Sequence, residues 1–254
     1  MLWHTSEDKV IKGLILAIQF LSRIPINIAV DFNEENLRKS TFFYPFTGMI
    51  IGGIAGLFYY IFSYINKDIA SFIAVLSIII TTGGLHLDGI GDTFDGFYSA
   101  RDRERILEIM KDSRAGTYGV VAIILDILFK YILISNIEGN IPLYLAFSCA
   151  NARFMSVLLM SFAKIARPGG LGDMLASSNP RSYAIAGGIL YSIIVFLVNP
   201  LFLIPLVASI LWALLVTLKT YKTIGGFTGD VYGATIETTE IISLITFAGV
   251  LKWI

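Results

Sequence analysis

The sequence predicts an all-α protein: a polytopic integral membrane bundle of about seven transmembrane helices, preceded by an N-terminal interfacial helix. Two observations lead to this prediction. Hydrophobic residues make up 56% of the 254 residues and charged residues only 15%, whereas soluble domains carry about 25% charged residues. Apolar runs near the roughly 20 residues needed to cross a bilayer also recur along the chain. We therefore expect a single membrane domain over residues 1–254.

The composition also excludes some classes of function. The formal net charge is zero, so the chain lacks the basic field that nucleic-acid binding requires. The single cysteine, Cys149, lies in an apolar run and is interpreted as a packing residue. The first residues are too acidic to indicate a cleaved signal peptide.

Residues 1–41 are predicted to form a cytoplasmic or interfacial segment. Its apolar part, Gly13–Leu21, is too short to span a bilayer, so an interfacial or half-inserted helix is favoured and a further span is the alternative. Seven predicted spans follow, at residues 42–65, 69–85, 117–137, 141–163, 183–198, 201–218 and 234–253. In the first span, Gly48, Gly52 and Gly56 form a ridge of small residues that predicts close helix packing.

The distribution of lysine and arginine predicts the orientation in the membrane. Counted over the segments before and between the seven spans, the numbers of these residues are 5, 1, 5, 0, 3, 0 and 2, and one more, Lys252, lies at the end of the last span. This alternation predicts a cytoplasmic N-terminus and an external C-terminus. It places every candidate catalytic loop of this integral cell-membrane protein on the cytoplasmic side.

Three aspartates, Asp88, Asp92 and Asp95, follow the second predicted span. On a helix of 3.6 residues per turn, this spacing places all three carboxylates on one face. Like charges at the edge of a bilayer are costly unless a cation lies among them. The simplest occupant is a hard divalent cation with oxygen ligands, Mg²⁺ or Mn²⁺. We predict a metal site, with a solvated turn-rich loop as the alternative.

A second acidic group lies in the segment 225–240. Asp230 and Glu237 are seven residues apart on a helix, and Glu240 is one turn further. Glu237 and Glu240 lie at the start of the last apolar run, where ionised carboxylates are expensive. These two are expected to face the bundle interior and to share a cation or a substrate hydroxyl. Together the two acidic segments predict phosphoryl transfer, in which metal neutralises phosphate charge and a carboxylate orients or deprotonates the attacking hydroxyl.

Residues 86–119 are predicted to form the catalytic loop region. Within it, residues 101–112 read as a short surface helix with one apolar side. The residues that follow open the third span with small, hydroxyl and basic side chains, which suit an anion site at a helix N-terminus. An ordinary helix boundary is the alternative. The candidate phosphate-binding residues here are Lys111, Ser113, Arg114 and Thr117.

Other polar residues lie within the predicted spans or beside them. Asp126 and Lys130 are four residues apart and are expected to pair with each other. Arg153 is expensive in lipid, so it should face protein, a phosphate or a carboxylate. His86 is either a base or a hydrogen-bonded structural histidine. The loop 167–172 either closes over a substrate or is a turn-rich link.

The chain resembles the cobalamin synthase family, the adenosylcobinamide-GDP ribazoletransferases, over nearly its whole length. The resemblance rests on the stretches 20–25, 85–96, 108–119 and 225–230, with Glu237 and Glu240. It implies that a ribose hydroxyl of α-ribazole, or of its 5′-phosphate, attacks the phosphorus on the cobinamide aminopropanol arm and that GMP leaves. It also implies Mg²⁺ as cofactor and a membrane location. A homo-oligomer or an association with other late cobalamin enzymes is left open.

On this reading the candidate site residues fall into three groups. The expected metal ligands are Asp88, Asp92, Asp95 and Asp230. The expected catalytic carboxylates are Asp92, Asp95, Glu237 and Glu240. The expected substrate-binding residues are His86, Lys111, Ser113, Arg114, Thr117, Arg153 and Thr228.

Two rival functions are weighed against this one. The spacing of Gly84, Asp88 and Asp92 resembles the end of the CDP-alcohol phosphotransferase signature, but the lead of that signature is missing. A transporter would spread its charges across membrane depth and repeat its halves. The chain shows no internal repeat, and its acidic residues cluster at one boundary.

Overall fold

The computed structural model describes residues 6–250, and the helical bundle predicted from the sequence is confirmed in that range. The described residues form α-helices, two short 3₁₀ turns and loops, without a β-strand. The helices are α1 Ser6–Leu21, α2 Glu34–Ser40, α3 Tyr44–Ser63, α4 Lys67–Thr82, α5 Leu85–Phe97, α6 Arg103–Ile109, α7 Thr117–Asn136, α8 Ile141–Phe162, α9 Leu171–Ser177, α10 Arg181–Val198, α11 Leu203–Ile224 and α12 Gly229–Val250.

Within the described range, five helical stretches are long and apolar enough to cross a membrane, and six if a bent pair is counted as one span. The five are Glu34–Ser63, Thr117–Asn136, Ile141–Phe162, Arg181–Val198 and Pro200–Ile224, and the bent pair is α4 with α5. The predicted seventh span corresponds to α12, which begins at Gly229 rather than at Ala234. Three carboxylates make α12 less apolar than the other long helices. The last predicted residues of this span, 251–253, lie outside the described range.

The N-terminal apolar stretch forms α1, which ends at Leu21. Residues 22–33 are not helical, so the apolar helix is too short to cross a bilayer. Its placement at the interface stays a prediction.

A sharp bend separates α4 from α5 and determines where the first acidic segment lies. Gly83 and Gly84 both adopt the left-handed conformation, with φ of 68° and 71°, which L side chains adopt only with strain. The axes of α4 and α5 differ by 90°. The chain therefore leaves the apolar α4 and turns α5 across the neighbouring helices.

The predicted glycine ridge packs α3 against α8. A Cβ atom at Gly48, Gly52 or Gly56 would lie within 3.0 Å of backbone atoms of α8. The close approach that the spacing predicts is therefore present, and it is possible only because these positions lack side chains.

Helix α8 lies at the centre of the bundle. Its apolar window is 78% buried, against 28–39% for the other four long stretches. Cys149 on this helix is buried and has a free thiol, in agreement with a packing role. Any charged side chain on α8 must therefore find its partners within the protein.

Candidate active site

The first acidic segment folds as the predicted helix, α5, and its two flanks are covered by neighbouring helices. Gly89 packs so tightly on α12 that a Cβ there would lie 2.7 Å from the backbone oxygen of Asp230, and Gly91 faces Ile123 of α7. The three aspartates lie between these flanks. Asp88 is exposed and Asp92 is half-buried, so this acidic face is open to a ligand.

The second acidic segment meets the first at this point. Asp230 is in the first turn of α12, beside Gly89. Repulsion from Asp88, Asp95 and Asp230 reaches Asp92, and Arg167 opposes it. The predicted convergence of two distant acidic segments is therefore present for Asp230, and we call Asp88, Asp92 and Asp230 the acidic triad.

Arg167 is the cation that sequence reasoning left without a defined role. Its Nη2 atom lies 3.8 Å from Oδ2 of Asp230, and its Nη1 atom donates to the backbone oxygen of Leu107 in α6. Asp230 also accepts a hydrogen bond from the hydroxyl of Thr228, at 3.3 Å. The loop that carries Arg167 therefore lies against the acidic triad.

Hydrogen bonds join the segments 164–167 and 224–227, which lie beside this site, to each other and to α6. Ile165 and Phe227 form an isolated parallel bridge. Arg103 of α6 donates to the backbone oxygens of Ile224 and Ala166, at 2.9 and 2.8 Å. The predicted surface helix is confirmed as α6, and it clamps the two loops beside Asp230.

Asp95 differs from its neighbours because its carboxylate caps a helix. Its two oxygens accept hydrogen bonds from the backbone N–H groups of Gly116 and Gly119, at 2.7 and 2.9 Å. The start of α7 was predicted to hold a phosphate, but in this structure a carboxylate of the protein occupies that position. The sequence carries no local signal for this cap, because Asp95 and Gly116 are 21 residues apart.

The other predicted phosphate-binding residues lie around this helix start. Lys111 and Ser113 line a cavity beside Asp92, whereas Thr117 is exposed and lines none of the cavities described here. The guanidinium of Arg114 forms an ion pair with Asp112 at 2.6 Å. Hydrogen bonds from Arg114 lower the pKa of the Asp112 carboxyl to about 2. Arg114 is thus engaged by its own loop, although its side chain is 86% exposed.

Two cavities of about 300 Å³ each open beside α5 and share Asp88. The first, which we call the α12 cavity, lies between α5, α12 and residues 165–173, which comprise a loop and the start of α9, and Asp230 lines it. The second, the α7 cavity, lies between α5 and residues 111–123, and Asp92 and Asp95 line it. Asp88 therefore stands at the junction of two spaces that are large enough for ligands.

Glu237 and Glu240 lie away from the acidic triad, in a buried charge cluster. Both are almost fully buried, at 3% and 1% exposure. Lys130 forms ion pairs with both of them and with Asp126, and Glu240 also pairs with Arg153. The predicted pair of Asp126 and Lys130 is confirmed at 3.1 Å. The two further partners were missed, although three acidic and two basic side chains within apolar runs already require mutual pairing.

This cluster changes the interpretation of two sets of predicted site residues. Glu237 and Glu240 were expected to serve as catalytic groups, but here their carboxylates are held by Lys130 and Arg153. Arg153 was expected to face protein, a phosphate or a carboxylate, and in the structure it pairs with the carboxylate of Glu240. His86 joins the two regions, because it lines the α12 cavity and its Nδ1 atom lies 3.9 Å from Glu237 and 3.5 Å from Arg153.

The acidic triad is not a preformed metal cage. Among residues 6–250, no group of three or more histidine, cysteine, aspartate or glutamate side chains is arranged to hold a metal ion by itself. Mg²⁺ in phosphate-handling sites is commonly bound by one or two carboxylates together with water and substrate phosphates.

Comparison with known proteins gives a consistent result over most of the chain. A sequence profile described as Cobalamin-5-phosphate synthase matches residues 13–248. A protein of Treponema denticola named adenosylcobinamide-GDP ribazoletransferase is 37% identical, with 92% of this chain and 96% of that protein covered. Proteins with the same name from Clostridium novyi and Caldanaerobacter subterraneus are each 38% identical, with 94% of this chain and 98% of each relative covered. No solved structure matches the chain at a significant level.

Proposed function

Since the chain belongs to the cobalamin-5-phosphate synthase family, we propose that it joins adenosylcobinamide-GDP to α-ribazole, or to α-ribazole 5′-phosphate, with release of GMP. The protein is an enzyme of cobalamin synthesis with several helices suited to a membrane. The observation that carries the proposal is the convergence of Asp88 and Asp92 with Asp230 at the junction of two cavities. Phosphoryl transfer needs such a place, where phosphate charge is handled and two reactants meet.

The proposed step exchanges one P–O bond for another. The ribose hydroxyl oxygen of the acceptor forms a bond to the phosphorus on the aminopropanol arm of cobinamide. The phosphoanhydride bond breaks, and GMP departs with the electron pair of that bond. The hydroxyl proton passes to a carboxylate of the acidic triad, which lies at the junction of the cavities and is not neutralised by the buried cluster.

We propose Mg²⁺, with Mn²⁺ as a substitute, as the cation of this site. The donor set fits it: Asp88, Asp92 and Asp230 supply hard oxygen ligands, and Arg167 opposes their mutual repulsion only in part. Bound there, the cation supplies charge neutralisation for the diphosphate. Asp95 has lone pairs beyond those that cap α7, so it is a further candidate ligand.

The site is proposed to face the cytoplasm. The acidic triad lies beside α6 and the loop that carries Arg167, and these belong to the connections that are rich in lysine and arginine. Such connections are retained on the cytoplasmic side of bacterial membranes. The water-soluble nucleotide substrate would then reach the site from the cytoplasm.

The proposal is tested by assaying the purified protein in detergent. We expect GMP release that requires adenosylcobinamide-GDP, α-ribazole and Mg²⁺ together, and that stops when the metal is chelated. Formation of a lipid product from a CDP-alcohol would instead support the rival enzyme. No turnover of either kind by a folded protein would contradict the proposal and favour transport.

One pair of variants tests the role of the acidic triad. Asp92→Asn removes a charge without changing side-chain size and should lower turnover on the order of 10²–10⁴-fold, the range found for catalytic carboxylates. Asp68→Asn is the matched control, because Asp68 lies in the first turn of α4 outside both cavities. It should retain wild-type turnover. Wild-type activity in Asp92→Asn would contradict the assignment.

A further inference from the structure

The two cavities beside α5 differ in chemistry although they are similar in volume. The surface of the α12 cavity is mainly apolar, with Phe20, Met160, Ile165 and Ile236 among its walls, and its polar groups include Arg167 and Asp230. The surface of the α7 cavity is mainly polar, and its lining includes the aspartates of α5 together with Lys111, Asp112 and Ser113. A reaction with two different substrates therefore has two different spaces available.

The geometry of phosphoryl transfer relates these spaces to the reaction. The attacking and leaving oxygens lie roughly in line on opposite sides of the phosphorus. An acceptor and a departing nucleotide must therefore approach from opposite directions. Asp88 is the residue that lines both cavities, one of which lies toward α12 and the other toward α7, so a phosphorus held beside Asp88 is within reach of both.

The apolar walls of the α12 cavity are held in place by packing and hydrogen bonds, which suits recognition of a flat apolar ring. Phe227 is fully buried and stacks on Tyr232, with ring centroids 5.2 Å apart and planes at 16°. The backbone of Phe227 is fixed by hydrogen bonds to Lys164 and Ala166, at 2.7 and 2.8 Å. Ile236 and Met160 are almost fully buried, so this space is preformed.

The two nucleoside bases of the reaction differ in the number of hydrogen-bonding groups that a binding site must satisfy. α-Ribazole carries a methylated benzimidazole, which is flat and largely apolar, whereas guanine has several donors and acceptors that an apolar wall would leave unpaired. The acidic side chain at the mouth of the α12 cavity, Asp173, already accepts a hydrogen bond from the backbone N–H of Gly169, at 2.7 Å. Both cavities hold a cation and a hydroxyl, but Arg167 and Thr228 of the α12 cavity already contact Asp230. Lys111 and Ser113 of the α7 cavity are exposed, so phosphates of a nucleotide suit that cavity better.

We infer that the benzimidazole of the acceptor binds in the α12 cavity, that the departing guanosine nucleotide occupies the α7 cavity, and that the reacting phosphorus lies beside Asp88 between them. This inference rests on the proposed function and adds to it a division of the site. His86 and Asp230, at the polar edge of the α12 cavity, then face the ribose of the acceptor.

Steady-state kinetics with each substrate varied in turn tests this division. Phe20→Ala and Met160→Ala remove apolar surface from the α12 cavity and should raise KM for α-ribazole on the order of tenfold, with KM for adenosylcobinamide-GDP unchanged. Lys111→Ala should raise KM for adenosylcobinamide-GDP and not KM for α-ribazole. The matched controls are Phe58→Ala on the exposed side of α3 and Lys222→Ala at the end of α11, and both should keep the wild-type constants.

A ring analogue makes the test independent of overall folding. The riboside of unmethylated benzimidazole should have a higher KM than α-ribazole in the wild-type enzyme, and Phe20→Ala should reduce that difference because the wall that contacts the ring is gone. Equal discrimination in both enzymes would overturn the inference.

The outcomes separate this inference from the proposed function. If the wild-type protein releases GMP but the KM effects of Phe20→Ala and Lys111→Ala are exchanged, or fall equally on both substrates, the division is wrong and the function stands. If the wild-type protein releases no GMP, the proposed function itself fails.

Discussion

At the scale of single residues, three aspartates that share one face of α5 have different roles because their surroundings differ. Asp88 is exposed and meets other carboxylates, Asp92 is half-buried among like charges, and Asp95 caps α7. The 3.6-residue period placed all three on one face from the sequence alone. It did not reveal the cap, because that contact depends on where α7 begins in space.

These environments predict that replacing aspartate by asparagine lowers the stability of the folded protein at position 95 but not at position 88. Asp95→Asn replaces one acceptor oxygen by an amide that cannot accept from α7, so it should lower the stability of the folded protein by about 1 kcal/mol, as the loss of a helix cap does. Asp88→Asn relieves repulsion within the acidic triad and should leave stability unchanged or raise it. The unfolding midpoint of each variant in detergent measures this, and a similar loss in both would contradict the distinction.

At the scale of helices, close approaches at glycine decide which elements meet. Close packing of the ridge on α3 was predicted from its spacing, and the structure identifies its partner as α8. The contact of Gly89 with α12 could not be predicted in the same way, since a single glycine in a motif indicates neither a partner nor an angle. That second contact is the one that brings Asp230 to α5.

The α3 ridge offers a prediction with a control one residue away. A Cβ at Gly52 would collide with the backbone of Leu145 and Ala146, whereas a Cβ at Gly53 would meet nothing within 4 Å. Gly52→Ala should therefore cost about 1–3 kcal/mol by overpacking. Gly53→Ala should be neutral or slightly stabilising, because alanine favours the helix. Equal unfolding midpoints for the two variants in detergent would show that the ridge is not in close contact.

At the scale of the whole molecule, the buried charge cluster connects the bundle interior to the site. It joins α7 through Asp126 and Lys130, α8 through Arg153, and α12 through Glu237 and Glu240. His86 extends it to α5 and the α12 cavity. Most helices could be predicted, since periodicity and apolar length are local. The meeting of the acidic segments was expected from the cost of unpaired carboxylates near a membrane, although the contact that brings it about was not. The sequence could not predict which acidic residues belong to the ligand site and which to the buried charge cluster, because that depends on which helices become neighbours.

This cluster makes a prediction about folding that differs from any prediction about catalysis. Lys130 is paired with three carboxylates, so Lys130→Met leaves buried negative charge that Arg153 alone cannot balance. Breaking a buried pair in this way costs about 3–5 kcal/mol, and we expect little folded protein in the membrane. Adding Glu237→Gln to Lys130→Met removes one of the unpaired negative charges and should restore part of the folded yield. If Glu237 had only a catalytic role, this second substitution would not change the yield. Lys222→Met, at the exposed end of α11, should leave the yield unchanged. If Lys130→Met alone accumulates like the wild type, the cluster does not hold the bundle together, and Glu237 and Glu240 return as candidates for the chemistry.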